Sequence, residues 1–247
     1  MYQIFAETDI GKVRDQNQDA YLYGAVQSSA EAVYAIVCDG MGGHKGGNRA
    51  SSIVSGIVAE TLSSWTKDML AKSFLSLALT NANHAVLSAA KDGGADTKGM
   101  GSTAVAALVA DRVAHIAHVG DSRAYLWETD KNKLTQLTKD HSYVQALVDK
   151  GEIDIEQATE HPQKHRITRA VGAAEDIVLD YNICVLEDNA ALLLCTDGLT
   201  GMLPDDEILA ICKKHEKNLS ALPNALINAA NEKGGTDNIT ALIVSNN

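Results

Sequence analysis

Residues 32–47 read AVYAIVCDGMGGHKGG, and this stretch decides the fold. Its first seven residues are a short apolar run of the kind that forms a buried strand. An Asp-Gly pair after a strand makes an ordinary hairpin turn. Five glycines around one histidine are more than a turn needs, and each costs backbone entropy. The segment is therefore expected to be a loop that lets the main chain approach an ion or anion closely. An aspartate there, Asp39, can bridge two cations, with the Gly40 carbonyl as a further ligand.

Strand signals recur outward from this point. Thr103–Ala110 (TAVAALVA) follows a glycine-bounded turn, and Val113–Val119 (VAHIAHV) follows Asp111-Arg112, so the two form a hairpin. Ala124–Trp127, Ile183–Leu186, Ala190–Cys195 and Ile239–Val244 are further strands. Several do not alternate in polarity, which marks strands buried on both faces. Helical patterns lie between them at Ala50–Trp65 and Lys67–Lys91, the second stopped by Gly93-Gly94. Another pair covers Asp205–His215, with Pro204 and acids at its start, and Leu219–Lys233. Strands interrupted by helix pairs are not the regular alternation of a parallel sheet. They fit an α+β fold in which two packed antiparallel sheets carry helix pairs outside. The polar stretch 140–172 has little apolar material of its own and is expected to be a small helical flap over the site. With neither an internal repeat nor a proline-rich linker, a single domain over 1–247 is the simplest organisation.

Composition narrows the function. The 247-residue chain carries a net charge of −11, which opposes binding to a nucleic-acid backbone. No stretch reaches the roughly 20 apolar residues needed to span a bilayer, and the N-terminus lacks the features of a leader, so a cytoplasmic protein with no membrane association is expected. The four cysteines form no metal-type pair. Cys38 and Cys195 fall inside strands and are expected to be buried small hydrophobes. Nothing points to an oligomer, so a monomer is expected.

Four aspartates sit in glycine-rich contexts: Asp39 in CDGMGGHKGG, Asp121 in HVGDSR, Asp197 in CTDGL and Asp237 in GGTDN. Asp19 closes RDQNQD. Carboxylates delivered from several strand ends can meet in one place and suit hard divalent cations. Arg14 near such a cluster is a clamp for phosphate oxygens, and Asn17 is read as orienting its neighbours.

The motifs RDQNQD, DGMGGHKGG, GSTAVA, HVGDSR, the Asp-His of 140–141, HPQKHRITRAVG, CTDGL and GGTDNIT follow one another in this order. In this the chain resembles the metal-dependent serine/threonine protein phosphatases of the PP2C (PPM) family, in the compact bacterial form, over nearly its whole length. The resemblance implies a four-layer α-β-β-α sandwich with two Mn2+ or Mg2+ ions between the sheets. Asp39 would bridge the ions and Gly40 would give its carbonyl, Asp197 and Asp237 would complete one ion, and Asp19 would act at the other, directly or through water. Asp121 would hold the third ion known in bacterial members, and Arg14 would bind substrate phosphate. Water activated between the ions would attack phosphorus of phosphoserine or phosphothreonine in protein substrates, in opposition to a serine/threonine kinase. The animal enzymes place a histidine, a proposed general acid, directly after the Asp-Gly pair. Here Met41 stands there and His44 follows, expected on the substrate side as acid or as a loop residue shaping the cleft entrance. The remaining histidines are read as structural or flap residues. Two other readings are a silent binding module, disfavoured because all five acids are present, and a metal-dependent hydrolase of small phosphoesters or nucleic acid, the latter opposed by the acidic charge.

Overall fold

The computed structural model describes residues 2–246, and the side chains among them except at 30, 43–45 and 95. In chain order the elements are β1 (Tyr2–Asp9), β2 (Asp19–Val26), β3 (Ser29–Met41), α1 (Gly43–Ser63), α2 (Ala71–Asp92), β4 (Gly101–Ser102), β5 (Ala104–Ala110), β6 (Val113–Val119), β7 (Arg123–Glu128), β8 (Lys133–Gln136), α3 (Tyr143–Asp149), α4 (Ile155–Glu160), β9 (Asp180–Val185), β10 (Ala190–Cys195), α5 (Asp197–Thr200), α6 (Asp205–Lys214), α7 (Leu222–Glu232) and β11 (Ile239–Asn246).

The strands form two antiparallel sheets. One runs β1-β11-β10-β7-β8 and the other β2-β3-β5-β6-β9, with β4 paired to β3. The doubly apolar strands are central: every residue of β5 and of β10 is buried. One core lies between α1–α2 and the second sheet, around Val54, Leu62, Leu75 and Leu79 against Ile36, Ala106 and Leu108. A second lies between α6–α7 and the first sheet, and a third fills the space between the sheets with Val37, Val105, Leu192, Leu242 and their neighbours. Three apolar interfaces make four layers, α-β-β-α, as expected. Leu62 and Leu79 are fully buried, so truncating either to alanine costs ~2–5 kcal/mol.

The hairpin between β5 and β6 turns on Asp111 and Arg112, both at positive φ (49° and 65°). That is the handedness a two-residue turn needs to match the strand twist.

The glycine-rich stretch departs from the expectation of a loop. β3 continues through Asp39 to Met41, the chain reverses at Gly42 (φ 117°), and α1 begins at Gly43. Close packing is the reason. A Cβ on Gly40 would lie 2.1 Å from the Gly47 carbonyl oxygen, and one on Gly47 would lie 2.6 Å from that of Gly40. The first turns of α1 sit directly on the end of β3, where only glycine fits. The stretch 140–172 contains the short helices α3 and α4. The bridge Ser142–Ile167 closes it on itself, and the bridge Ser102–Val171 ties it to the body.

Candidate active site

Asp19 opens β2 and Asp39 lies near the end of β3, and the two are direct cross-strand partners. The opposite sheet brings Asp197 at the first turn after β10 and Asp237 just before β11. Asp121 follows β6 in the turn to β7. Strand ends from both sheets thus converge on a cleft of about 720 Å3, lined by Arg14, Asp39, Gly40, Asp121, Asp197 and Asp237 among others.

Asp19 sits beneath this cleft, 8% exposed. Its Oδ2 accepts hydrogen bonds from Thr196 Oγ1 at 2.8 Å and Thr240 Oγ1 at 2.6 Å, so the threonine after β10 and that of β11 fasten it across the sheet interface. Its Oδ1 is buried with no hydrogen-bond partner among the described residues, and so is Asp197 Oδ1. Burial pushes the Asp19 carboxyl up to about 7, with Asp197 and Asp237 adding to the rise and the two threonine hydroxyls opposing it. Asp39 is raised well above the usual carboxylate range, by burial first and then by Asp19, Asp197, Asp121 and Asp237. Burial, followed by Asp197 and Asp140, lifts Asp121 to about 8. Carboxylates held protonated by burial and mutual repulsion form a site short of positive charge, where divalent cations displace protons.

The main chain fixes Asp39 on both sides. Its N–H donates to Thr103 Oγ1 at 2.9 Å, and its carbonyl accepts from the Thr103 N–H at 2.8 Å and from Ser102 Oγ at 3.0 Å. Arg14 Nη2 donates to Asp237 Oδ2 at 2.7 Å, and half of the arginine side chain remains exposed. Asn17 takes the orienting role expected of it. Its Oδ1 accepts from the Asp19 N–H at 3.1 Å, and its Nδ2 donates to Thr8 Oγ1 at 2.9 Å.

Of the predicted site residues, Arg14, Asp19, Asp39, Gly40, Asp121, Asp197 and Asp237 are brought together. The side chain of His44 lies outside the described residues. His118 and His141 are buried with stacked rings, in keeping with structural roles. His165 of the flap lines the cleft, its Nδ1 3.8 Å from Asp197 Oδ2.

Sequence reasoning missed Thr196, Thr240 and Asn238. The Asn238 Oδ1 accepts the Gln18 N–H at 2.8 Å, and its Nδ2 donates to the carbonyls of Ile10 and Gln16. It thereby anchors the loop that carries Arg14. The available signal was adjacency: Thr196 precedes Asp197, and Asn238 follows Asp237.

A sequence profile of the family described as protein phosphatase 2C matches residues 12–239. The chain belongs to the protein phosphatase 2C family. Its activity class is that of a serine/threonine phosphatase. Among curated proteins it is similar to the serine/threonine phosphatase stp of Listeria innocua, with 37% identity over 243 residues, 97% of this chain and 94% of the relative. Among solved structures it is similar to the serine/threonine phosphatase PstP/Ppp of Mycobacterium tuberculosis (TM-score 0.89, 32% identity, covering 99% of this chain and 98% of that one). It also resembles the catalytic domain of PstP in complex with 2 manganese ions (TM-score 0.86, 31% identity, covering 99% and 97%). No helix among the described residues is long and apolar enough to cross a membrane.

Proposed function

We propose that this chain hydrolyses phosphoserine and phosphothreonine in proteins at a site for two divalent cations, Mn2+ or Mg2+. Residues 1–247 then form one catalytic domain, with 140–172 as its flap. The observation that carries the reading is the convergence of Asp19, Asp39, Asp121, Asp197 and Asp237 from two sheets, with Asp19, Asp39 and Asp121 raised by burial and mutual charge. The residues fit the ions: the donor set is all oxygen, and two buried carboxylate oxygens, Asp19 Oδ1 and Asp197 Oδ1, lack partners among the described residues. The PstP catalytic domain with 2 manganese ions lends support.

Asp39, the Gly40 carbonyl, Asp197, Asp237 and, directly or through water, Asp19 would hold the two ions. Asp121 with Asp197 would serve a third. When bound, such ions activate a water and neutralise charge on the phosphoryl oxygens. Thr196 and Thr240 hold Asp19 in one orientation, and the Ser102–Thr103 main chain does the same for Asp39. Arg14 uses one N–H on Asp237, and the rest of its guanidinium, facing the cleft, binds phosphoryl oxygens. His44, three residues beyond Met41, is assigned to the substrate side. The partners are phosphorylated proteins and a serine/threonine kinase whose products they are, met by a cytoplasmic monomer. A net charge of −11 counts against nucleic acid as substrate.

The test is phosphate release from a phosphothreonine peptide. Release that EDTA abolishes and Mn2+ restores is expected. Full activity after chelation would rule out the reading.

A further inference from the structure

The catalytic cleft does not end at the carboxylates. A second pocket of about 220 Å3 opens between α3, α4 and the body, and it shares Asp121, His165 and Asp197 with the cleft. Its flap wall carries an aliphatic patch, Val144 and Val148 from α3 with Ile155 and Ala158 from α4, beside the polar Gln145, Thr159 and Lys164. Ile155 is 74% exposed at the first turn of a helix with no buried residue. A large aliphatic side chain left in water beside a cavity is the kind of apolar exposure that marks a contact surface. At its floor Arg123 is closed by Asp140 in a two-pronged pair, Nε–Oδ1 at 2.9 Å and Nη2–Oδ2 at 2.8 Å.

We propose that this pocket is a specificity subsite that receives one apolar side chain, leucine- or methionine-sized, from the substrate polypeptide within about three residues of the phosphorylated one. The inference rests on the phosphatase reading above. With the phosphoryl group among the carboxylates, a polypeptide must leave the cleft along its rim. Successive residues of an extended chain advance by about 3.3 Å, so a residue one to three positions away reaches the shared wall of Asp121, His165 and Asp197. The aliphatic patch favours what is desolvated against it: a Leu or Met side chain gains contact with Val148 and Ile155, whereas a carboxylate laid on the same patch loses water. A small phosphoester has no such side chain and does not use the pocket.

The experiment compares p-nitrophenyl phosphate with phosphothreonine peptides of Gly-Ser background. Leucine or aspartate is placed singly at each position from three before to three after the phosphothreonine. Assays use Mn2+ with the wild-type chain, Ile155→Glu and Val148→Ser. Wild type is expected to prefer leucine at one position over aspartate by about tenfold or more in kcat/KM, equivalent to about 1.4 kcal/mol. Ile155→Glu should erase that preference through KM while p-nitrophenyl phosphate turnover stays unchanged, and Val148→Ser should weaken it. Equal turnover of all peptides overturns the subsite but leaves the phosphatase reading standing, and so does a leucine preference that survives both variants. Absence of Mn2+-dependent turnover of every substrate overturns both.

Discussion

Asp39 and His165 face the same cleft from opposite kinds of structure. Asp39 lies on a strand paired on both sides, its backbone fixed by Thr103 and Ser102 and its side chain within the repulsion of four other carboxylates. His165 lies on a stretch of the flap whose neighbours are exposed, two-thirds exposed itself, and tied only to Asp197 at 3.8 Å. The strand ends can hold charged groups in an arrangement they would not choose in water, because the sheets over-determine their positions. On the proposals above, the sheets carry the chemistry and the flap the recognition.

The largest effect that could break this contrast is at the strand ends. Asp39→Asn is expected to lower kcat by about 10³-fold or more, roughly 4 kcal/mol. Without added metal the variant should melt no lower than wild type, since it removes a buried, repelled carboxylate. A variant that instead unfolds would make Asp39 a structural residue. Next come the threonines. Thr196→Val with Thr240→Val strips both donors from Asp19 Oδ2, and Mn2+ affinity by calorimetry should fall about 10–100-fold, the size expected for groups that orient a ligand. Unchanged affinity would remove Asp19 from the ion site. Arg14→Ala should raise KM for a phosphopeptide about tenfold with kcat little changed; a loss confined to kcat would contradict the clamp role.

The smallest expected effect is on stability, at the root of the flap. Burial pulls His141 down to about 4, aided by His118 and Arg169 and opposed by Asp180, and burial likewise lowers His118 against its bond to the Lys139 carbonyl. The folded His141 stays neutral until pH nears 4, while its unfolded form takes up a proton near 6.5, and His118 is shifted in the same direction. The contribution of His141 is therefore whole above pH 6.5 and is lost as pH falls from there toward about 4. Melting temperatures at pH 7.5, 5.5 and 4.5 should decline for wild type more steeply than for His118→Gln/His141→Gln. Equal slopes would exonerate the histidines.

Much of the fold was legible because the central strands are apolar on both faces: Val113–Val119 and Ala190–Cys195 have the bounds their sequence indicates. β1 and β2 were not found. β1 is half-exposed with Glu7 in its middle, and β2 is broken by Gly24, so neither carries a clean period. The start of α1 was misread because glycine serves close packing there, while helix propensity argues against it. The carboxylates were legible through their glycine-bounded motifs. The roles of Thr196, Thr240 and Asn238 were not, because adjacency to Asp197 and Asp237 does not reveal hydrogen bonds that join residues as far as 228 positions apart.

The central claim is that five carboxylates from two sheets form one cation site that drives phosphate release. Calorimetric titration of Mn2+ into wild type and Asp39→Asn, run beside phosphothreonine-peptide turnover of the same samples, tests it most directly. Two tight ions in wild type, with binding and turnover lost together in the variant, is the predicted result. Turnover in the variant at wild-type level, or wild-type turnover with no bound ion, would contradict it.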